Sequence, residues 1–299
     1  MNVPITRYRD GSSRWTSLTK QDQALLNRIL RNEADMAYRR RVPILLDYLE
    51  LREGEQIFDC GCGMGFYLMT MGKLRSLRLV GLDGDLGRLH WAQGERLPAA
   101  VLNGDILKLP FSDASFDKVL MTEVLEHLGD DRHALREIYR VLRPGGVAAF
   151  SVPHANYPFW WDPINRVWTS LGGKPFRSGP LVGIWSNHER LYYPDDLIER
   201  IEGAGFQVEM AEEITHFSFP FSHFLVYGIG KPLLERNLLP GGLRKSADRF
   251  KGEQNSGSRL NPINLGLSVF RAIDRLNDRP AVVNRMTFVN ILVKARKPT

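Results

Sequence analysis

Cysteine is scarce: the 299-residue chain holds two, Cys60 and Cys62. That excludes a disulfide framework, and a lone C-x-C pair does not complete a thiolate metal site. Long apolar runs are also missing. No stretch approaches the roughly 20 apolar residues of a membrane-spanning helix. The first residues carry no apolar signal core, so a cytoplasmic protein is expected. No internal repeat is present. With 43% hydrophobic and 25% charged residues, the composition fits a folded globular chain. The length suits one large α/β domain with insertions.

Charge is unevenly spread. Residues 235–299 hold thirteen Lys/Arg against five Asp/Glu, and residues 1–50 hold nine against six. The whole chain stands at +6, so the middle is acidic. Basic ends of this kind suit solvated surface first, and an anionic membrane or nucleic acid second.

Apolar periodicity predicts a helix over 18–38 and a second beginning at Pro43, a favourable first-turn residue. Strands follow at 56–59, 77–83, 99–102, 116–121 and 147–152, separated by helices at 64–73, 85–95 and 123–142. A helix at 194–205, a strand at 206–214 and a closing strand at 286–295 complete the pattern. Alternation of this kind implies a doubly wound, mostly parallel, seven-stranded α/β sheet. Residues 1–50 read as a helical extension, and 51–299 as the main domain. Two segments break the rhythm. Residues 154–193 contain nine aromatics, four of them among the six tryptophans, and read as an ordered lid. Residues 215–285 form an insertion before the last strand, with a helix near 263–277. Its polar stretch 240–262 reads as a mobile loop.

The densest signal is Asp59-Cys60-Gly61-Cys62-Gly63-Met64-Gly65, where a strand breaks into glycines at alternate positions. Asp83 ends the next strand, 22 residues after Gly61, and Asn103-Gly104-Asp105-Ile106 follows the third. A dinucleotide fingerprint would place its third glycine at position 66, which here is phenylalanine. The pattern instead resembles motif I of the class I S-adenosylmethionine-dependent methyltransferases, in their small-molecule, ubiquinone-type branch. Supporting stretches are Leu109–Asp117, Glu123-Val124-Leu125-Glu126-His127 and Arg140–Gly146.

The resemblance implies S-adenosyl-L-methionine as cofactor. Asp59, Gly61, Gly63 and Gly65 would take its amino-acid end, Asp83 its ribose, and Asp105 with Ile106 its adenine. Glu123 would stand at the pocket mouth. A nucleic-acid base substrate is disfavoured, because Thr122-Glu123-Val124-Leu125 stands where a D/N-P-P-Y/F tetrapeptide would be expected. The expected partner is a small, apolar or aromatic acceptor methylated at oxygen. Its proton would pass to His188 or, second, His127; His154 is a further histidine at the same sheet edge. On a helix, Glu123, Glu126 and His127 would share a face, a geometry open to a divalent metal, although no metal is expected. Phe217–Gly230 is too short to span a bilayer but suits an acceptor pocket or a peripheral membrane interface. A quinone or lipid-linked acceptor, or a non-catalytic protein binding the same cofactor, are the alternatives.

Overall fold

The computed structural model describes residues 5–6, 16–94, 97–179, 181–222, 224–236, 238–258 and 260–299. The strands are β1 (Ile5–Thr6), β2 (Gln56–Cys60), β3 (Arg78–Asp83), β4 (Ala99–Asn103), β5 (Phe116–Thr122), β6 (Leu142–Pro153), β7 (Gln207–Ile214) and β8 (Asn290–Arg296). They form one sheet in the order β1-β7-β8-β6-β5-β2-β3-β4. The seven expected strands are all present, and β1 adds a two-residue edge pairing parallel to β7. β8 runs antiparallel between β6 and β7; every other pairing is parallel.

The central strands are buried on both sides, as parallel sheets require. Alternate residues feed two cores. Phe58, Val119, Met121 and Phe150 pack with Leu135 and Ile138 of α5 (Asp131–Val141) and Leu197 and Ile201 of α7 (Pro194–Gly203). Ile57, Leu120 and Ala149 face α1 (Lys20–Ile29), α2 (Met36–Leu49) and α3 (Phe66–Leu74). Two further helices lie nearby: α4 (Leu86–Gly94) after β3, and α6 (Pro163–Ser170) within the lid.

Several helix boundaries differ from the sequence reading. The 18–38 helix is two. A Thr19–Asp22 capping box starts α1, and Asp35 accepts the Tyr38 N–H at 3.0 Å to start α2. Pro43 lies inside α2 rather than at its start, leaving the Arg39 carbonyl without its usual helical donor. The 123–142 helix also fails at its first turns. Glu123 is left-handed at φ 52°, residues 125–127 form one 3-10 turn, and Asp130 caps α5 by accepting the His133 N–H at 2.9 Å.

The insertion contains a π-helical turn at Phe224–Gly230, α8 (Lys231–Glu235), α9 (Gly241–Ala247) and α10 (Pro262–Asp274). The 240–262 stretch is not a free loop across its described residues. Phe250 packs against Trp91 and Phe66 with ring centroids 4.2 and 5.5 Å away. Asn32 donates to the Lys245 carbonyl at 2.7 Å, and Arg249 pairs with Glu33 at 3.2 Å. The N-terminal helices and the insertion thus pack together over the sheet.

Candidate active site

β2 delivers Asp59 to the middle of the sheet, between Gly81 of β3 and Leu120 of β5. The side chain is 1% exposed. Neither carboxylate oxygen receives a hydrogen bond among the described residues. Burial, with the charge of Asp83 second, pushes its pKa up to about 8, so the carboxyl is largely protonated at pH 7. A buried polar group without partners is costly unless a ligand meets it.

The glycine loop wraps over this acid. Gly61 and Cys62 both donate backbone N–H groups to the Leu82 carbonyl, at 2.7 and 3.0 Å. Gly61 has φ 79°, and a Cβ there would lie 2.3 Å from Val124 Cγ2. Gly63 differs: its φ is also positive, yet a Cβ would meet nothing nearer than Arg88 at 4.0 Å. The space over Gly63 is an open cradle. Gly65 is the N-cap of α3.

Asp83 clamps this loop. It accepts the Gly63 N–H at 2.7 Å with Oδ2 and the Asp85 N–H at 2.9 Å with Oδ1. Each oxygen keeps a second lone pair, so a ribose diol would share this carboxylate with the loop. Asn103 Nδ2 donates to the Asp83 carbonyl at 2.9 Å, tying the end of β4 to that of β3. Asp105 is exposed and accepts the Leu107 N–H at 2.8 Å. Ile106 is half-buried against the core.

Glu123 is more engaged than a pocket-mouth acid would be. Its Oε1 accepts from Ser151 Oγ at 2.8 Å, Asn290 Nδ2 approaches both oxygens at 3.2 Å, and Arg41 Nη1 lies 3.2 Å from Oε2. The residue ties β5, β6, β8 and α2 together. Nothing in the sequence around Arg41, Ser151 or Asn290 signals this node, because each arrives from a separate element.

The predicted Glu123–Glu126–His127 face does not form. The 3-10 turn replaces the helix, and Glu123 turns to Arg41 and Asn290. Instead the lid returns along the β5 loop: Glu189 donates its N–H to the Glu126 carbonyl at 2.8 Å. That brings His188 to His127, with ring centroids 4.6 Å apart. The Nε2 atoms of both histidines stand 3.9 Å from Glu126 Oε1. Glu126 is fully buried, and neither carboxylate oxygen takes a hydrogen bond among the described residues. Burial, then the neighbouring Glu123, holds its pKa well above the carboxylate range. One ligand atom from each of Glu126, His127 and His188 lies within 4.8 Å of the others, which is also compatible with a divalent cation.

His127 Nδ1 is 3.0 Å from the Asn187 carbonyl. A carbonyl only accepts, so Nδ1 carries the proton and neutral His127 offers the Nε2 lone pair. His154 is different. Its Nδ1 accepts the Asn156 N–H at 2.8 Å, and its Nε2 meets Glu213 at 2.7 Å. With both nitrogens engaged and 2% exposure, it is a structural residue.

Aromatic side chains of the lid divide in two. Tyr157 and Trp161 are buried with Ile184, Ala37 and Val289, while Phe159, Trp168 and Tyr193 are exposed. Thirteen of the sixteen exposed large apolar side chains among the described residues lie in 154–193 or 215–285. No helix among those residues is long and apolar enough to cross a membrane.

Comparison with known proteins places this geometry in a family. A family described as a methyltransferase domain matches residues 58–150. The chain is 41% identical over 209 residues to a malonyl-acyl-carrier-protein O-methyltransferase of Serratia marcescens, covering 59% of this chain and 80% of that one. It is 35% identical over 132 residues to a demethylmenaquinone methyltransferase of Corynebacterium kroppenstedtii, covering 43% and 55%. Apart from the Serratia protein, the chain spans about half the length of the first curated relatives it matches. Among solved structures, the cyclase SpnF aligns at TM-score 0.53 and 18% identity over 87% of this chain and 81% of that one. The Haemonchus contortus phosphoethanolamine N-methyltransferase 2, in complex with S-adenosyl-L-methionine, aligns at TM-score 0.51 and 16% identity, covering 87% and 53%. These two similarities concern the fold. Together with the loop over Asp59, the sequence relationships identify the chain as a member of the S-adenosylmethionine-dependent methyltransferases.

Proposed function

We propose that the protein transfers a methyl group from S-adenosyl-L-methionine to an oxygen of a small, apolar or aromatic acceptor held beneath the lid. The observation that carries the acceptor side is the Glu126–His127–His188 cluster, formed where the lid meets the end of β5. The cofactor supplies the methyl group and its leaving group when bound. Asp59 and the glycine loop would hold its amino-acid end, since the buried carboxyl has no hydrogen-bond partner among the described residues. Asp83 would take the ribose while clamping Gly63, and Asp105 with Ile106 the adenine.

His127 and His188 are the proposed proton acceptors. The backbone carbonyl of Asn187 fixes His127 with Nε2 as its free base site, and this nitrogen would take the acceptor's hydroxyl proton. Burial, then the neighbouring Glu123, raises the Glu126 pKa, which lessens the negative charge its carboxyl presents to the two rings. His188, at 13% side-chain exposure, closes the cluster from the lid side and would anchor the acceptor. Two relatives carry methylation of an acyl-carrier-bound malonyl group and of demethylmenaquinone in their names. A quinone or lipid-linked acceptor at a membrane surface is the second reading, favoured by the apolar exposure of the lid and insertion.

The test is a screen with radiolabelled methyl donor against phenols, quinols and carboxylic acids, with and without vesicles. Label transfer that falls by roughly a hundredfold in His127→Asn, with cofactor affinity intact, supports the reading. Cofactor binding without turnover on any acceptor would leave a non-catalytic binding protein. Loss of transfer on chelation, restored by Mg²⁺ or Mn²⁺, would reassign the same three side chains as metal ligands.

A further inference from the structure

Away from the sheet edge, α1, α2 and α10 enclose a cleft of about 300 Å³. Arg39, Arg40, Arg271 and Arg275 line it together with Asp274 and Asp278, a surplus of two positive charges. The acids are turned toward one of the four cations. Arg40 Nε lies 3.0 Å from Asp274 Oδ1, its Nη1 lies 2.8 Å from Asp278 Oδ1, and its Nη2 donates to the Asp274 carbonyl at 2.9 Å. Arg39, Arg271 and Arg275 make no hydrogen bond or ion pair to a carboxylate among the described residues, although the charges of Asp274 and Glu33 also reach Arg39.

Arg39 and Arg271 are half-buried. The Nε of each is buried and finds no hydrogen-bond acceptor among the described residues. Arg271 spends an Nη2 hydrogen on the Arg31 carbonyl, which adds no negative charge. Holding several guanidinium groups together, partly desolvated and short of carboxylates, is unfavourable unless an anion compensates. The strain registers on both residues. Burial depresses the pKa of Arg271, followed by the charges of Arg39, Arg31 and Arg275, and burial likewise depresses that of Arg39. Guanidinium groups match phosphoryl oxygens in geometry and form paired, charge-assisted hydrogen bonds with them.

We propose that this cleft between the N-terminal helices and α10 is a binding site for a phosphoryl dianion, held by Arg39 and Arg271 with Arg275 at the rim. The dianion matches the two surplus charges, and the cleft has room for a phosphate with a small substituent. The same group is presented by a free phosphorylated metabolite and by a phosphatidate headgroup. Leu265 and Val269 are exposed on the same helix, α10, at 59% and 45%.

The test uses the full chain in two arms. Inorganic phosphate is titrated calorimetrically, and phosphatidylcholine vesicles with and without phosphatidic acid are used for co-sedimentation. Wild type is compared with R39Q/R271Q, with R275Q, and with R132Q, a surface arginine of α5 paired with Glu199. The expected result is at least a tenfold loss of phosphate affinity in R39Q/R271Q and a smaller loss in R275Q. R132Q should be unchanged. Phosphatidate-dependent sedimentation lost in the same variants, with weak free phosphate binding, supports the site and identifies the headgroup as its source. The ligand-free midpoint of R39Q/R271Q should hold or rise, because two partly desolvated cations with buried, unpaired Nε groups are removed. Should the double variant fail to fold, R275Q carries the test alone, since its side chain is exposed. Absence of binding in both arms, or binding equal in wild type and all variants, overturns the proposal.

Discussion

Asp59→Asn keeps the shape of a side chain that the ligand-free protein holds mostly protonated and removes its capacity to ionise. The carboxyl rises from its ordinary 3.8 to about 8 through burial, with Asp83 adding to it. Between those values the folded state binds one proton more than the unfolded state. The stability this contributes is therefore full below the lower value and is lost as pH rises through the upper one. Between pH 6 and 8 the loss comes to about 2 kcal/mol at 1.36 kcal/mol per pKa unit. The ligand-free wild type should lose that stability on denaturant titration over this range, relative to D59N. Cofactor binding should show the opposite slope. An ammonium group seated against Asp59 requires the carboxylate, so binding releases a proton. Affinity should climb by up to about tenfold per pH unit below pH 8, then fall as the ligand's own α-amino group deprotonates near 7.7–8.0. D59N should bind weakly and without that slope. Calorimetry in two buffers of different ionisation enthalpy counts the released proton directly. Wild-type affinity that is flat from pH 6 to 8, with no proton released, would refute the assignment of Asp59 to the ammonium end.

Asp83→Ala removes the acceptor of the Gly63 N–H, a charge-assisted bond worth about 1.5–3 kcal/mol; cofactor affinity measured by calorimetry should fall tenfold to a hundredfold. Gly61→Ala places a methyl 2.3 Å from Val124 Cγ2 at a positive φ and should cost about 1–3 kcal/mol in chemical denaturation. Part of that loss should return in Gly61→Ala/Val124→Ala, which relieves the clash but not the backbone strain. Arg41→Met strips Glu123 of its cation, whose Nη1 stands 3.2 Å away. Because the Glu123 side chain is 25% exposed, the expected cost is about 1–2 kcal/mol rather than that of a fully buried pair. Glu123→Gln in the same background should recover stability in a double-mutant cycle.

What could be read from the chain follows how local each signal is. Asp59 through Gly65 is legible because strand end, turn and helix start are encoded within seven residues, and Asp83 and Asn103 repeat the strand-end pattern. Glu123 misleads because its left-handed backbone and the Asp130 cap interrupt a stretch whose composition is helical. The convergence of His188 on Glu126 and His127 depends on the lid returning over sixty residues, fixed by a backbone hydrogen bond from Glu189, and no spacing announces it. Polar composition hides the packing of 240–262, where Phe250 anchors the segment between Trp91 and Phe66. Of the three histidines, only the partners of each ring separate the structural His154 from the pair near Glu126, and those partners are distant in sequence.

The antiparallel seat of β8 has a consequence for the order of assembly during synthesis. β7 is made some eighty residues before β8, yet its link to the rest of the sheet runs through β8. The amide of Asn290 on that late strand also completes the node around Glu123. A nascent chain can therefore close the glycine loop next to Asp59 while the node around Glu123 still lacks Asn290.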